Sequence, residues 1–231
     1  MTKDRDDYIA RIQTNLNFKD AVSDVSAAEI VSCLDTAIDW YSRDRPYELV
    51  HSITGDGGNR YTLPSDWDTD FSSIVYVEFP AGEDDPTLLD EEEVFVWTNA
   101  STTAFQFRFR DLTTSDTALV KYTRKHSITS TACTVPDTDF DAVCFLATAH
   151  AALAIAGRLI RNKNESGMMD GLVSLRTTSD QYKSYAQEML KMYFRRLGIN
   201  PDQGVKARLA IFDLDPMPSS WGFPWLTHID R

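Results

Sequence analysis

The pattern of apolar and polar positions changes period twice along the chain. Residues 26 to 44, "SAAEIVSCLDTAIDWYSRD", repeat Ile30, Leu34, Ile38 and Tyr41 on one helical face. Ser26 and Glu29 stand at capping-box spacing, and Pro46 ends the run. A shorter helix precedes it, with Tyr8, Ile9 and Ile12 as its apolar side. From residue 47 the period becomes two. "YELVHSIT" leads into "GDGG" and then "NRYTLP", which predicts a hairpin whose turn needs positive φ. "SSIVYVEF", "EVFVWT", "AFQFRFR" and "TALVKYT" follow as further strands. In the third of these, Phe105, Phe107 and Phe109 alternate with Gln106, Arg108 and Arg110, so one face is buried and the other wet.

Helical spacing then returns. "VPDTDF" supplies helix-start chemistry to "CFLATAHAALAIAGRLI", residues 144 to 160, the most apolar stretch of the chain. The uncharged run from Val143 stops at Arg158, short of the roughly 20 residues a membrane span requires. Its small residues, Ala147 and Ala151 among them, instead suit close packing against other helices. After a flexible-looking "NKNESGMMDG", Thr177 and Asp180 take capping positions for a last helix. This helix carries Tyr182, Ala186, Met189, Tyr193 and Leu197 on one stripe, places Arg195 and Arg196 in its final turn, and stops at Gly198. Beyond it, residues 200–231 hold four prolines and the aromatic residues Phe212, Trp221, Phe223 and Trp225, with His228 near the end. So aromatic a segment is costly to leave in water and is expected to dock.

The predicted fold class is therefore α+β. Residues 1–46 and 125–199 form a helical bundle, 47–124 an inserted antiparallel β-sheet domain, and 200–231 an extended docking tail. An apolar fraction of 42% with 25% charged residues belongs to a folded chain with a real core. The formal net charge of -12 opposes general binding of nucleic acid. Cys33, Cys133 and Cys144 are too few and too scattered for a disulfide framework. The start, "MTKDRDDYIA", lacks the apolar core of a signal peptide.

Candidate chemistry is sparse. No phosphate-binding loop, dinucleotide fingerprint, nucleophile elbow or HExxH pattern occurs. His51, His126, His150 and His228 lack metal-ligand spacing. Asp66, Asp68 and Asp70 open like a calcium loop that fails at Phe71 and Val77. With Asp56 they are the ligands a small metal-dependent hydrolase would have to use. Cys144 and His150 point about 120° apart on a helix, so they cannot pair as a thiol–imidazole couple. Arg108, Arg110, Lys121, Arg124 and Lys125 form one basic group, either a phosphate contact or a polar sheet face balancing the acidic loops. Neither a catalytic residue nor a cofactor or metal site is expected, and the chain is not expected to be an enzyme.

Three stretches carry a family resemblance: "YTLPSDW" at 61–67 followed by "SSIVYVEF", "VKYTRKHS" at 120–127 leading through "TVPDTDFDAV" into the apolar helix, and "TTSDQYKSYAQEMLKMYFRRLG" at 177–198. In this arrangement the chain resembles the head-tail adaptors of tailed bacteriophages, also called head completion or neck proteins. The resemblance implies a homo-oligomeric ring, typically of twelve copies, between the portal protein and the tail or stopper, located in the virion neck after assembly in the host cytoplasm. Genomic DNA would pass through it without specific binding, and no membrane is involved. The tail, with Phe212, Trp221, Phe223, Trp225 and His228, would be the portal-docking extension, while Ala147, Ala151, Tyr182, Met189 and Tyr193 would pack the ring. A tail completion or terminator protein is the alternative, and would be mostly β.

Overall fold

The computed structural model describes residues 3–17, 25–82, 87–89, 92–99, 102–108, 110–163 and 169–199, with the backbone alone for 161–163 and 169–177. The expected docking tail, with Phe212, Trp221, Phe223, Trp225 and His228, lies outside the described residues, as does Phe109.

Helix α1 spans Arg5–Asn17 and α2 spans Ala27–Asp44. Both begin with reciprocal caps. The Asp4 and Asp7 carboxylates each accept the other's backbone N–H, at 3.0 and 3.3 Å. At α2 the Ser26 hydroxyl accepts from the Glu29 N–H while the Glu29 carboxylate accepts from the Ser26 N–H at 2.8 Å, the capping box its spacing predicts. A helix of 13 residues is marginal in water. What holds α1 is the seam Tyr8, Ile12 and Leu16, fully buried at i, i+4 and i+8; each such side chain contributes roughly 1.5–3 kcal/mol.

The seam packs on α3, Phe140–Lys163, which follows a single 3-10 turn at Asp137–Asp139. From Ala142 to Ala152, every α3 residue except Phe145 and His150 is buried. Helices α1, α2 and α4 (Met169–Leu197) enclose it. The segment from Asp137 to Ile160 has the length and apolarity of a membrane span, but its first half is covered by helices of its own chain, as in a core helix.

Helix α4 begins at Met169, about two turns before the expected cap. Thr177 and Asp180 are therefore interior positions, and Ser179 turns inward so that its hydroxyl donates to the Ala156 carbonyl at 3.1 Å. The expected stop is present: Gly198 has φ +68°, and the Ile199 N–H returns to the Phe194 carbonyl.

The strands lie between Tyr47 and Arg124 in two sheets. One has the order β1 (Tyr47–Thr54), β7 (Thr117–Arg124), β3 (Ile74–Phe79), β4 (Thr87–Leu89); the other is β2 (Arg60–Thr62), β6 (Thr103–Phe107), β5 (Val94–Thr98). All pairs are antiparallel. Between the sheets sits a core of their own, with Phe105, Phe107, Leu112 and Val120 fully buried. The expected hairpin of β1 with β2 does not form. β1 pairs instead with β7, from Tyr47↔Arg124 to Thr54↔Thr117, and β2 crosses to β6. The "GDGG" segment does hold positive φ at Gly57, +89°, yet its backbone bonds to the 112–116 loop: Gly55 N–H to the Asp116 carbonyl, Gly57 N–H to the Leu112 carbonyl.

This close approach makes Gly55 the stricter of the two glycines. A Cβ there would stand 2.0 Å from the Thr113 carbonyl oxygen, whereas at Gly57 a Cβ meets nothing within 4 Å. Gly55→Ala should therefore cost about 1–3 kcal/mol by overpacking, and Gly57→Ala about 1–2 kcal/mol of backbone strain. Urea unfolding of both variants checks this ordering; a Gly55→Ala protein as stable as the parent would contradict it.

Candidate interaction surfaces

A buried polar cluster joins the helices to the strands. Asp139, 4% exposed, accepts the Tyr41 hydroxyl at 2.6 Å and the Arg45 guanidinium at 2.8 Å. Arg45 also donates to the Leu197 carbonyl at 3.0 Å, so the last turn of α4 is tied to the end of α2. Tyr193 adds a second tie by donating to Asp44. His126, the second residue after β7, completes the cluster. Its backbone N–H donates to the Ser42 hydroxyl, its Nε2 lies 2.9 Å from the Arg45 carbonyl, and its Nδ1 lies 3.1 Å from the Thr134 hydroxyl. The carbonyl can only accept, so Nε2 carries the proton in the neutral ring. Burial pushes the Tyr41 and Tyr193 hydroxyls far above the usual tyrosine range, and the carboxylates beside them add to the shift.

Beside the cluster, residues 65–70 and 124–127 line an open polar cleft of about 480 Å³. Of the four aspartates considered as metal ligands, Asp66, Asp68 and Asp70 line this cleft, whereas Asp56 lies outside it and accepts the Gly58 N–H; Asp66 is already engaged, one oxygen by the Tyr122 hydroxyl at 2.7 Å and the other by Arg124 at 3.1 Å. Burial and this bond raise the Tyr122 hydroxyl to about 12. Asp68 accepts the Asp70 N–H and faces Lys125 at 3.8 Å. Among the described residues no group of three His, Cys, Asp or Glu side chains could hold a metal ion.

The basic group divides into ion pairs. Arg110 meets Glu93, Lys121 meets Glu48, Arg124 meets Asp66, and Lys125 meets both Asp39 and Asp68. These four cations are a balanced polar surface and not a phosphate-binding patch. Cys144 and His150 separate as their spacing predicts: the buried thiol is pushed up by desolvation, while the His150 ring stands edge-on to Trp40 of α2 at 5.2 Å.

The residues expected to pack a ring, Ala147, Ala151, Tyr182, Met189 and Tyr193, are all buried inside their own chain. The alanine faces of α3 are taken by intramolecular neighbours, so little of these side chains is left for another copy. Among the described residues of the helices, sequence reasoning missed the apolar side chains that stay exposed: Trp40 on α2, Leu153 and Ile160 on α3 and Met192 on α4. Trp40 sits outside the Ile30–Tyr41 stripe, and that misfit was the available signal.

Two outcomes follow from the polar cluster. Asp139→Ala strands the Tyr41 hydroxyl in the interior and should destabilise by about 1–3 kcal/mol. Asp139→Asn keeps one acceptor and should lose less; equal melting temperatures for the Asp139→Ala variant and the parent would count against the cluster. His126 and His150 have folded pKa values held below the usual 6.5 by burial. Their contribution to stability is complete above pH 6.5 and is lost as pH falls through the folded values, because the unfolded chain then binds more protons. Urea midpoints should therefore drop between pH 7.5 and 5, with a smaller drop in His126→Asn; Glu29, whose carboxyl is lowered by its bonds to Ser26, titrates beneath that window.

Comparison with known proteins agrees with an interaction protein. No curated protein matches the sequence. Among solved structures the chain is similar to a component of the virion of a native gene transfer agent particle, at 15% identity over 79% of this chain and 93% of that one, with a TM-score of 0.27. It is similarly related to a component of the neck of the native particle computed with C12 symmetry, at 15% identity, 74% and 90% coverage and a TM-score of 0.27. Overlays this loose carry no positions across. The model of the SU10 adaptor protein family matches residues 4–203, nearly the whole chain. The chain belongs to the SU10 adaptor protein family and is a structural adaptor, not an enzyme.

Proposed function

We propose that the protein is the neck adaptor of a phage-like particle, forming a ring of about twelve copies that joins the portal to the tail or stopper and through which DNA passes. The family match across residues 4–203 carries this reading. The helical body supports it over a tail terminator, which would be mostly β. Twelve copies at -12 bring on the order of 140 negative charges. Wherever that surface faces the channel, its net negative charge opposes the counterion replacement that would hold DNA, and so favours sliding. The pairing of Arg110, Lys121, Arg124 and Lys125 with carboxylates works in the same direction.

Residues 200–231 are the portal-docking segment, anchored by Phe212, Trp221, Phe223, Trp225 and His228. Arg45 supports this by fixing Leu197, three residues before the segment begins, so that it leaves from a defined point on the body. Deleting 200–231 should leave the melting temperature of the body unchanged and abolish binding to purified portal in a pull-down. Unfolding of the truncated chain would assign the segment to its own core, and full retention of portal binding would refute the docking role.

A further inference from the structure

Among the described residues of the helical body, the exposed large apolar side chains are Trp40 (45% exposed), Leu153 (44%), Ile160 (44%) and Met192 (42%). The first three share one groove. On α3, His150, Leu153, Ala154, Gly157 and Ile160 follow at i, i+3, i+4, i+7 and i+10, a single helical face. Leu153, Ala154, Gly157 and Ile160 are exposed, while the remaining faces of α3 are covered by α1, α2 and α4. Trp40 forms the α2 wall against His150, and the Glu29–Arg158 ion pair closes one end. No charged residue stands between Asp141 and Arg158. His150 is half-buried there, and its Nε2 has no hydrogen-bond partner among the described residues.

Met192 lies on a different flank. It follows Tyr185 by seven residues and precedes Arg196 by four, so the three share a face of α4. That face looks toward α1: Tyr185 donates to the Asn15 carbonyl, and Arg196 shares Asp141 with Arg11. The groove instead opens beside α2.

We infer that the α3 groove of one copy, walled by Trp40 and floored by Leu153 and Gly157, seats Met192 of the next copy. This rests on the ring reading above. Two distinct faces on two flanks are what a head-to-tail contact requires. Charge selects the groove: chains of net charge -12 repel one another, and they can approach closely only where the surface is neutral. The described residues that line the groove are uncharged, and the Glu29–Arg158 ion pair at its end cancels. Methionine suits an irregular aromatic slot, since its thioether adapts in shape and gains from contact with an indole ring. Lys191 and Arg195 flank Met192, and they bring cations toward the Trp40 ring, whose face accepts them.

The test uses assembled particles. Leu153 is replaced by photoreactive benzoylphenylalanine, the particles are irradiated, and the joined peptides are identified by mass spectrometry. The expected partner is the α4 peptide containing Met192, recovered from covalent dimers and higher rungs. Leu153→Asp and Met192→Asp, both at exposed positions, should keep the parent melting temperature and lower incorporation into particles by about tenfold or more. The inference is overturned if position 153 joins to residues 200–231 or to another protein, or if both Asp variants incorporate at the parent level. Absence of the parent chain from the particles is a separate result, and it would reject the neck reading instead.

Discussion

The constraint on which the structure depends is that the first half of α3 has no side suited to water. A helix that is apolar around its whole circumference must be enclosed, and three neighbours are needed to enclose it. α1, α2 and α4 do so. Alanines at 142, 147, 149, 151 and 152 let their backbones come close, so the burial comes from many short contacts and not from a few large side chains. The hydroxyls inside are satisfied locally. The Thr148 hydroxyl donates to the Cys144 carbonyl and accepts from the Asn15 amide, and Ser179 donates to the Ala156 carbonyl.

Enclosing α3 brings the ends of α2 and α4 beside the turn that starts it, and there the buried carboxylate of Asp139 needs partners. Tyr41 and Arg45 supply them. Because Arg45 also holds the Leu197 carbonyl, and its own carbonyl takes the His126 ring, one residue couples three things: the end of α2, the exit of α4 and the return of the chain from the strands. The pairing of β1 with β7 brings positions 47 and 124 side by side, so the two chain connections between strands and helices lie next to each other. The return of the chain from the strands and the end of α4 are therefore held by the same few hydrogen bonds.

What was legible in the sequence was local. The Ser26–Glu29 cap, the Gly198 stop, the positive φ in "GDGG" and the inward stripe of α4 all depend on residues within a few positions of one another. The misreadings came from distant partners. A glycine-rich turn between two alternating runs signals a hairpin, but the signal cannot tell that β1 gains more from an eight-residue pairing with β7 far along the chain. Thr177 and Asp180 look like a cap because a cap and a buried hydroxyl use the same residue types; the Ala156 carbonyl opposite Ser179 decides between them. The basic group dissolved for the same reason, since Glu48, Asp66 and Asp39 are remote in sequence and adjacent in space.

An adaptor has no reacting atoms to position, so its chemistry is the distribution of charge and apolar area over its surface. In the ring proposed above, an acidic chain would meet copies of itself and still let DNA pass, and those two demands separate spatially. Contacts between copies belong where charge is absent, and a channel belongs where cations are tied up by carboxylates. In that ring the α3 helix would serve the first demand at its far end. Its first half is largely buried, whereas from Leu153 onward one face of the same uncharged sequence, Leu153, Ala154 and Gly157, is exposed while Ile155 and Ala156 stay inside. The burial that stabilises the body and the apolar groove left at its edge are thus consecutive parts of one helix, and the absence of charge from Ala142 to Gly157 serves both.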